Sequence, residues 1–374
     1  MTDLDGAASL CVRSSNNQRR RFAVRLGSLI SLALSAAMLL NPISAQAGLD
    51  ATVDLTNPRI VPVYVSQTGQ VPSSRAQADW SGFLYSSRIV FSAAHAEIGF
   101  DNNGNKVKFD RPFIVVGKPN TRAGESAGAV QVIKSIIAKD YRNQLLDDFA
   151  IYILDRDLVE MSPSKLLTPD IEKELIASKS PITMHGYGEY GDRCKVGEIA
   201  PCGSALPTEQ PRSLTATLST LAAVENIVGY KRPNLINHLI IFNGKQGFGC
   251  SGDSGGSITT VHQGEVTYLG PTPNGSNVYA CGAATGYDGI GGIWYSSPIY
   301  KHLDMVKEAE EFVKEMREKE IRDAERLKAD REQAAAAAAL KKSKTIVCQK
   351  GSVKKRISTA PFKCPKGYTK IIKK

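Results

Sequence analysis

Long hydrophobic runs are nearly absent from this 374-residue sequence. Only Leu26–Leu40 qualifies, and its 15 residues fall short of the ~20 needed to span a bilayer as a helix. A multi-span membrane protein is therefore excluded. Gly (32) and Pro (18) are too sparse for a fibrous or low-complexity chain. Apolar residues are not depleted either, at 42%, and with 22% charged residues the chain can bury a core rather than stay disordered. No C-x-x-C pair and no His-rich cluster occurs among the seven Cys and five His, so no zinc motif is present. There is no internal repeat.

The net charge of +10 is uneven. Residues 1–47 carry +3, and residues 341–374 carry +12 with twelve Lys/Arg and no acid, which leaves −5 for residues 48–340. The excess positive charge is thus a property of the ends, not of the fold.

Arg19, Arg20, Arg21 and Arg25 precede the apolar stretch, and Ala45-Gln46-Ala47 follows it. Basic flank, short apolar segment and small-residue A-x-A pattern together describe an export signal cut after Ala47. Once that segment is removed, no membrane span is expected, and the protein is expected to be secreted. Removal also takes away Cys11. The remaining six Cys are an even number, as suits an oxidising compartment. Their spacing suggests three local pairs, Cys194–Cys202, Cys250–Cys281 and Cys348–Cys364, although six Cys allow 15 pairings.

Between about 60 and 300 the chain reads as short strands separated by Gly, Pro and Asn. Examples are Ile60–Val65, Ser81–Tyr85, Ile89–Ser92, Phe113–Val116, Val130–Ile137, Phe149–Leu154, Leu239–Phe242, Val266–Leu269 and Gly292–Tyr295. Such density without intervening helices points to an all-β barrel or sandwich. Residues 302–343 then lack both Pro and Gly and spell a long helix, ~60 Å if continuous. Val306, Ala309, Phe312, Val313 and Met316 give its first part an apolar face to pack on the barrel. Glu310–Lys314, Glu315–Lys319 and Glu318–Arg322 are supporting i,i+4 pairs. The second part, 316–344, reads as a solvated spacer. Residues 345–374 form a small basic module that a Cys348–Cys364 bridge would staple. This module resembles the short Cys/Lys-rich tails of exported bacterial proteins. Its charge suggests adhesion to an anionic cell-surface polymer, which would retain the protein there; it carries no motif for reading nucleic acid.

Three segments carry chemistry: Phe91-Ser92-Ala93-Ala94-His95-Ala96, Leu146-Asp147-Asp148-Phe149-Ala150-Ile151 and Cys250-Ser251-Gly252-Asp253-Ser254-Gly255-Gly256. Acyl transfer by a serine needs a neighbouring base, and histidine titrates near neutrality. A buried carboxylate must orient that histidine, and backbone N–H groups must face the developing oxyanion. Glycines beside the serine allow the sharp turn and close substrate approach. Asp147 competes with Asp148 as the orienting acid. Asp148 is favoured because apolar-Ala-apolar follows it, as at the start of a buried strand. His185, His238, His262 and His302 lie in no motif and read as structural. Asp101-Asn102-Asn103-Gly104-Asn105 lacks the Gly and Glu positions of a calcium loop and reads as a plain turn. No metal or other cofactor is implied.

The order His–Asp–Ser, the A-A-H segment at His95 and G-D-S-G-G around Ser254 resemble the chymotrypsin/trypsin-type (family S1) serine proteases. Gly186-Tyr187-Gly188 is similar to that family's G-W-G segment, and Gly292-Ile293-Trp294 before a helix is similar to its ending. The resemblance covers roughly residues 60–315. It implies an all-β fold of two six-stranded antiparallel barrels, and endopeptidase activity on protein or peptide substrates. His95 would be the base, Asp148 its orienting acid and Ser254 the nucleophile, with the N–H groups of Gly252 and Ser254 as the oxyanion hole. Cys250–Cys281 would brace the specificity pocket. Two departures stand out. Ala96 replaces the Cys that usually follows the histidine, and Phe248 replaces the acid that tryptic enzymes place at the pocket base, so cleavage after Lys or Arg is not expected. Family zymogens are cut to free an Ile/Val amine that pairs with the acid before the nucleophile, here Asp253. Arg59-Ile60-Val61 resembles such a site, which would make 48–59 a propeptide; the other reading makes Ile60–Val65 simply a first strand. The alternative function is a catalytically silent homologue that binds peptide or a surface.

Overall fold

The computed structural model describes residues 51–371 except 72–77, 102, 112, 126, 143–146, 189–207, 230, 232, 243–251, 273–292, 344–345 and 360–361. In chain order the first elements are β1 (Thr52–Val53), β2 (Ile60–Ser66), β3 (Trp80–Ser86) and β4 (Ile89–Ser92). A 3-10 turn over Ala94–Ala96 leads to the hairpin β5 (Ile98–Phe100) and β6 (Lys106–Lys108), then β7 (Phe113–Val116), β8 (Val130–Ile137) and β9 (Ala150–Leu154). Next come β10 (Lys165–Leu166), α1 (Pro169–Ser178), β11 (Pro181–Gly186), β12 (Arg212–Ser219), α2 (Leu221–Val228) and β13 (Leu239–Phe242). The chain continues through β14 (Ser257–His262), β15 (Glu265–Pro271), β16 (Ile293–Ser296), α3 (Leu303–Ser343), β17 (Ile346–Lys350), β18 (Val353–Ile357) and β19 (Thr369–Ile371).

Strands β2, β3, β4, β9, β8 and β7 close, in that order, into a six-stranded antiparallel barrel. Side chains alternate across a strand, so each wall strand presents two sets. Val61, Val63, Leu84, Val90, Tyr152 and Leu154 belong to one cluster, with Trp80, Ile114 and Val116. Ile60, Tyr64, Phe83, Tyr85, Ile89, Phe91, Ile151 and Ile153 belong to a second, larger cluster with residues of the other sheet and α3. Both faces of β2, β3, β4 and β9 are buried, which is why these strands read as largely apolar runs, whereas β8 is only half-buried. Tyr268 of β15 reaches across to this second face, its ring 4.6 Å from Phe83 and 5.0 Å from Phe91.

The second sheet runs β10-β15-β14-β11-β12-β13-β16, with β1 added against β12. Among the described residues this sheet is not closed, so of the two expected barrels one is seen there. One of its pairings is also parallel, Lys165–Leu166 against Thr267–Tyr268. Helices α1 and α2 begin at Thr168 and Thr220, whose side chains accept from the N–H groups of Ile171 and Ala223.

Helix α3 runs unbroken for 41 residues. Met305, Val306, Ala309 and Val313 are buried against the core. Ion pairs extend the docking: Lys134 with Glu308 (2.9 Å), and Arg88 with Asp157 (2.9 Å) and Glu320 (2.8 Å). Residues 324–339 are exposed throughout. Beyond the helix, β18-β17-β19 form a three-stranded antiparallel sheet, and a Cys348–Cys364 disulfide closes it. Residues 1–50 and Cys194, Cys202, Cys250 and Cys281 lie outside the described residues, as do the export signal and two of the three expected disulfides. Among the described residues, no helix is long and apolar enough to cross a membrane.

Candidate active site

Register in the barrel brings the first two residues together. Strands β4 and β9 are antiparallel neighbours with Ser92 opposite Ala150. The residues just beyond this pair, His95 and Asp148, therefore leave the sheet side by side. The 3-10 turn over Ala94–Ala96 carries His95, with Ala94 and Ala96 buried beneath it. Asp148 grips His95 at two points. Its Oδ2 lies 2.7 Å from Nδ1, and its Oδ1 accepts from the His95 backbone N–H at 2.9 Å. The carboxylate is 5% exposed and the imidazole 15%, so the pair is shielded yet reachable. This grip fixes ring orientation and places the proton on Nδ1, which leaves Nε2 as the basic nitrogen.

Asp147 is placed differently. Its backbone is left-handed, at φ 53°, and its side chain bonds Ser297 and Lys301 rather than His95. Its carboxylate accepts from Ser297 Oγ (3.1 Å) and Lys301 Nζ (3.2 Å). Burial raises its pKa, but Lys301 and Ser297 outweigh that, and the group sits below the usual carboxylate value.

The Ser254 segment docks on the end of the barrel that carries His95. Ser81 N–H donates to the Ser254 carbonyl (2.9 Å), and Ser81 Oγ donates to the Gly252 carbonyl (2.7 Å). The same Oγ accepts from Tyr187 N–H at 2.8 Å. Gly255, at φ 76°, fits against Ser92 Oγ, the Ser81 carbonyl and Ala93 N, so close that a Cβ there would collide with all three. Ser254 is thus held beside the segment 92–95. Gly252, at φ 93°, supplies the left-handed turn before it. Among the described residues the N–H groups of Gly252 and Ser254 have no acceptor, and no hydrogen bond joins Ser254 Oγ to His95.

Gly186-Tyr187-Gly188 has a steric reason. A Cβ on either glycine would run into the Asp253 carboxylate, which accepts from Gly188 N–H at 2.7 Å. Tyr187 is fully buried and donates to the Thr121 carbonyl. Ile60 begins the barrel strand β2, and Arg59 is the turn residue just before it. The Arg59 carbonyl accepts from Leu84 N–H (2.7 Å), and its guanidinium donates to the carbonyls of Leu84, Tyr85 and Ser162. Ile60 is fully buried opposite Phe83. Phe248 lies outside the described residues. The Asp101–Asn105 segment is a turn joining β5 and β6, with Asp101 accepting from the N–H groups of Asn103 and Asn105.

Sequence reasoning missed Ser81. It is a fully buried small polar residue near the start of a mostly apolar strand, and the sequence around it carries no motif. No group of His, Cys, Asp and Glu among the described residues could hold a metal ion. No family model and no curated protein matches the chain.

Proposed function

We propose that the protein is a secreted serine endopeptidase of the chymotrypsin/trypsin type. The two-point grip of Asp148 on His95, on the barrel end where the Ser254 segment docks, is the observation that carries this reading. Ser254 Oγ attacks the substrate carbonyl carbon and gives its proton to His95 Nε2. Asp148 stabilises the imidazolium that forms. The oxyanion receives the N–H groups of Gly252 and Ser254. His95 then protonates the leaving amine, and an acyl-Ser254 ester remains. Water, deprotonated by His95, hydrolyses the ester and regenerates the hydroxyl. A missing Ser254–His95 hydrogen bond is compatible with this sequence, because such bonds commonly tighten only when substrate binds.

The finer parts of the reading are that the second sheet serves as the second barrel, that 1–47 directs export, and that the basic module retains the protein on an anionic surface. The test is covalent labelling of the purified protein with a fluorophosphonate probe beside Ser254→Ala. Labelling that disappears in the variant is the expected result. Absence of labelling in the unsubstituted protein would favour the silent, peptide- or surface-binding homologue.

A further inference from the structure

The segment before Arg59 is stitched into the second sheet. Strand β1 pairs with β12, Thr52 opposite Ser213 and Val53 opposite Arg212. Around it Asp54 N–H donates to the Pro211 carbonyl (3.0 Å), Asn120 Nδ2 to the Leu55 carbonyl (2.9 Å) and Arg212 Nη1 to the Ala51 carbonyl (3.4 Å). This strand aims Asp54 at a buried imidazole: Oδ2 lies 3.2 Å from His185 Nε2. Thr56 holds the other oxygen, its N–H at 2.8 Å and its Oγ1 at 2.6 Å. The His185 bond, first among these contacts, keeps the Asp54 carboxyl well below its ordinary range.

His185 in turn touches the nucleophile segment in two places. Its Nδ1 lies 3.3 Å from Ser257 Oγ, on the neighbouring strand. Its carbonyl occupies the space that a Cβ at Gly256 would need, and accepts from Thr272 Oγ1 at 3.4 Å. The Thr272 backbone holds the same segment, accepting from Gly255 N–H (3.0 Å) and donating to the Gly256 carbonyl (2.8 Å). The next residues, Gly186 to Gly188, cup Asp253. The Arg59–Ile60 peptide, by contrast, lies at the start of barrel strand β2, where the Arg59 carbonyl accepts from Leu84 N–H.

We infer that Asp54 and His185 are positioning residues for the Ser254 segment, that the lead strand braces it from the second sheet, and that Ser254 is competent without cleavage at Arg59. This rests on the proposed protease reading, and it replaces the freed amine with a strand that stays attached. Hydrolysis at Arg59 would cut the chain at the start of β2, whereas substitution of Asp54 removes its carboxylate contacts to His185 and Thr56 and leaves the backbone intact.

The experiment uses the full exported chain, with the state of the Arg59–Ile60 bond read by mass spectrometry. Probe labelling is measured as a maximal rate and a half-saturating concentration for the unsubstituted protein, Arg59→Gln, Asp54→Asn, Asp54→Glu and His185→Gln. Hydrogen exchange over residues 252–257 is followed in parallel. Uncut Arg59→Gln is expected to label at the unsubstituted rate. Asp54→Asn and His185→Gln should lower the maximal rate about tenfold or more with half-saturation nearly constant, and Asp54→Glu should recover part of it. Exchange of 252–257 should quicken by a similar factor, with β4 unchanged. Labelling confined to protein cut at Arg59 would overturn the inference, as would unaltered exchange over 252–257 in Asp54→Asn. If the exchange coupling appears but Ser254 never labels, the brace stands and the protease reading falls.

Discussion

Protonation of His302 should loosen the junction between α3 and the barrel. The imidazole is buried, stacks on Phe149 with ring centroids 4.6 Å apart, and lies 2.7 Å from Ser297 Oγ through Nε2. Burial pulls its pKa from 6.5 down to about 4; Asp147, Asp304 and Asp140 favour the charge, Lys301 opposes it, and burial wins. The folded value therefore lies below the unfolded one. Above pH 6.5 neither state binds the proton. As pH falls toward 4 the unfolded chain takes it up and the folded protein does not, so stability declines. At about 1.4 kcal/mol per tenfold, the loss between about pH 7.5 and 4.5 comes to roughly 2–3 kcal/mol. His238, pulled down to about 4 chiefly by burial, adds to the loss in the same window. Asp54 does not interfere, because its depressed pKa gives stability that is lost only below the ordinary carboxylate range. Urea denaturation of the unsubstituted protein and His302→Gln at several pH values measures the effect. The unsubstituted protein should lose about 2–3 kcal/mol more than the variant across the window. Parallel stability curves would refute the claim that the fold keeps this imidazole neutral.

Gly255→Ala should cost about 2–4 kcal/mol in denaturation and abolish probe labelling, since it combines a left-handed backbone with a collision against Ser81, Ser92 and Ala93; melting and labelling like the parent would show that the segment does not dock there. Arg88→Met should cost roughly 1–3 kcal/mol, because it removes a buried cation shared by Asp157 and Glu320, and Glu320→Gln should cost less; equal effects would contradict a central role for Arg88. The module carrying Lys350, Lys354, Lys355, Arg356 and Lys370 on one small sheet should retain the protein on an anionic polymer, and retention should fall steeply between about 0.05 and 0.5 M salt. Retention indifferent to salt, or unchanged on deleting residues 345–374, would sink that expectation.

Legibility in the sequence tracked burial pattern. Ile89–Ser92, Phe113–Val116, Val130–Ile137 and Leu239–Phe242 are strands at the boundaries their residues suggest. Three of them run apolar almost end to end, because sheet and helix cover both faces. Strands β11 and β12 were harder to read. Arg212–Ser219 mixes Ser and Thr with Leu and Ala, and long connections separate it from its partners, the preceding and following strands β11 and β13. The two residues of β1 are exposed and are ordered by backbone pairing, which no side-chain pattern encodes. His95, Asp148 and Ser254 stood out because steric needs at the serine put glycines around it. His185 did not. Its partners Asp54 and Ser257 come from distant segments, and the Gly186-Tyr187-Gly188 segment that follows it signals a close backbone approach rather than a role for the imidazole.

The Ser254 segment belongs to neither sheet alone. Ser81 and Gly255 fasten it to the barrel, whereas Thr272, His185 and Gly188 fasten it to the second sheet. His95 and Asp148, by contrast, both leave the barrel wall and hold each other without help from the second sheet. On the proposed reading, the alignment of Ser254 with His95 is therefore a property of the contact between the two sheets. Phe83 and Phe91 of the barrel pack against Tyr268 of the second sheet at that contact. Close packing transmits even small shifts, so on the proposed reading the position of Ser254 depends also on the lead strand and the apolar seam behind the site.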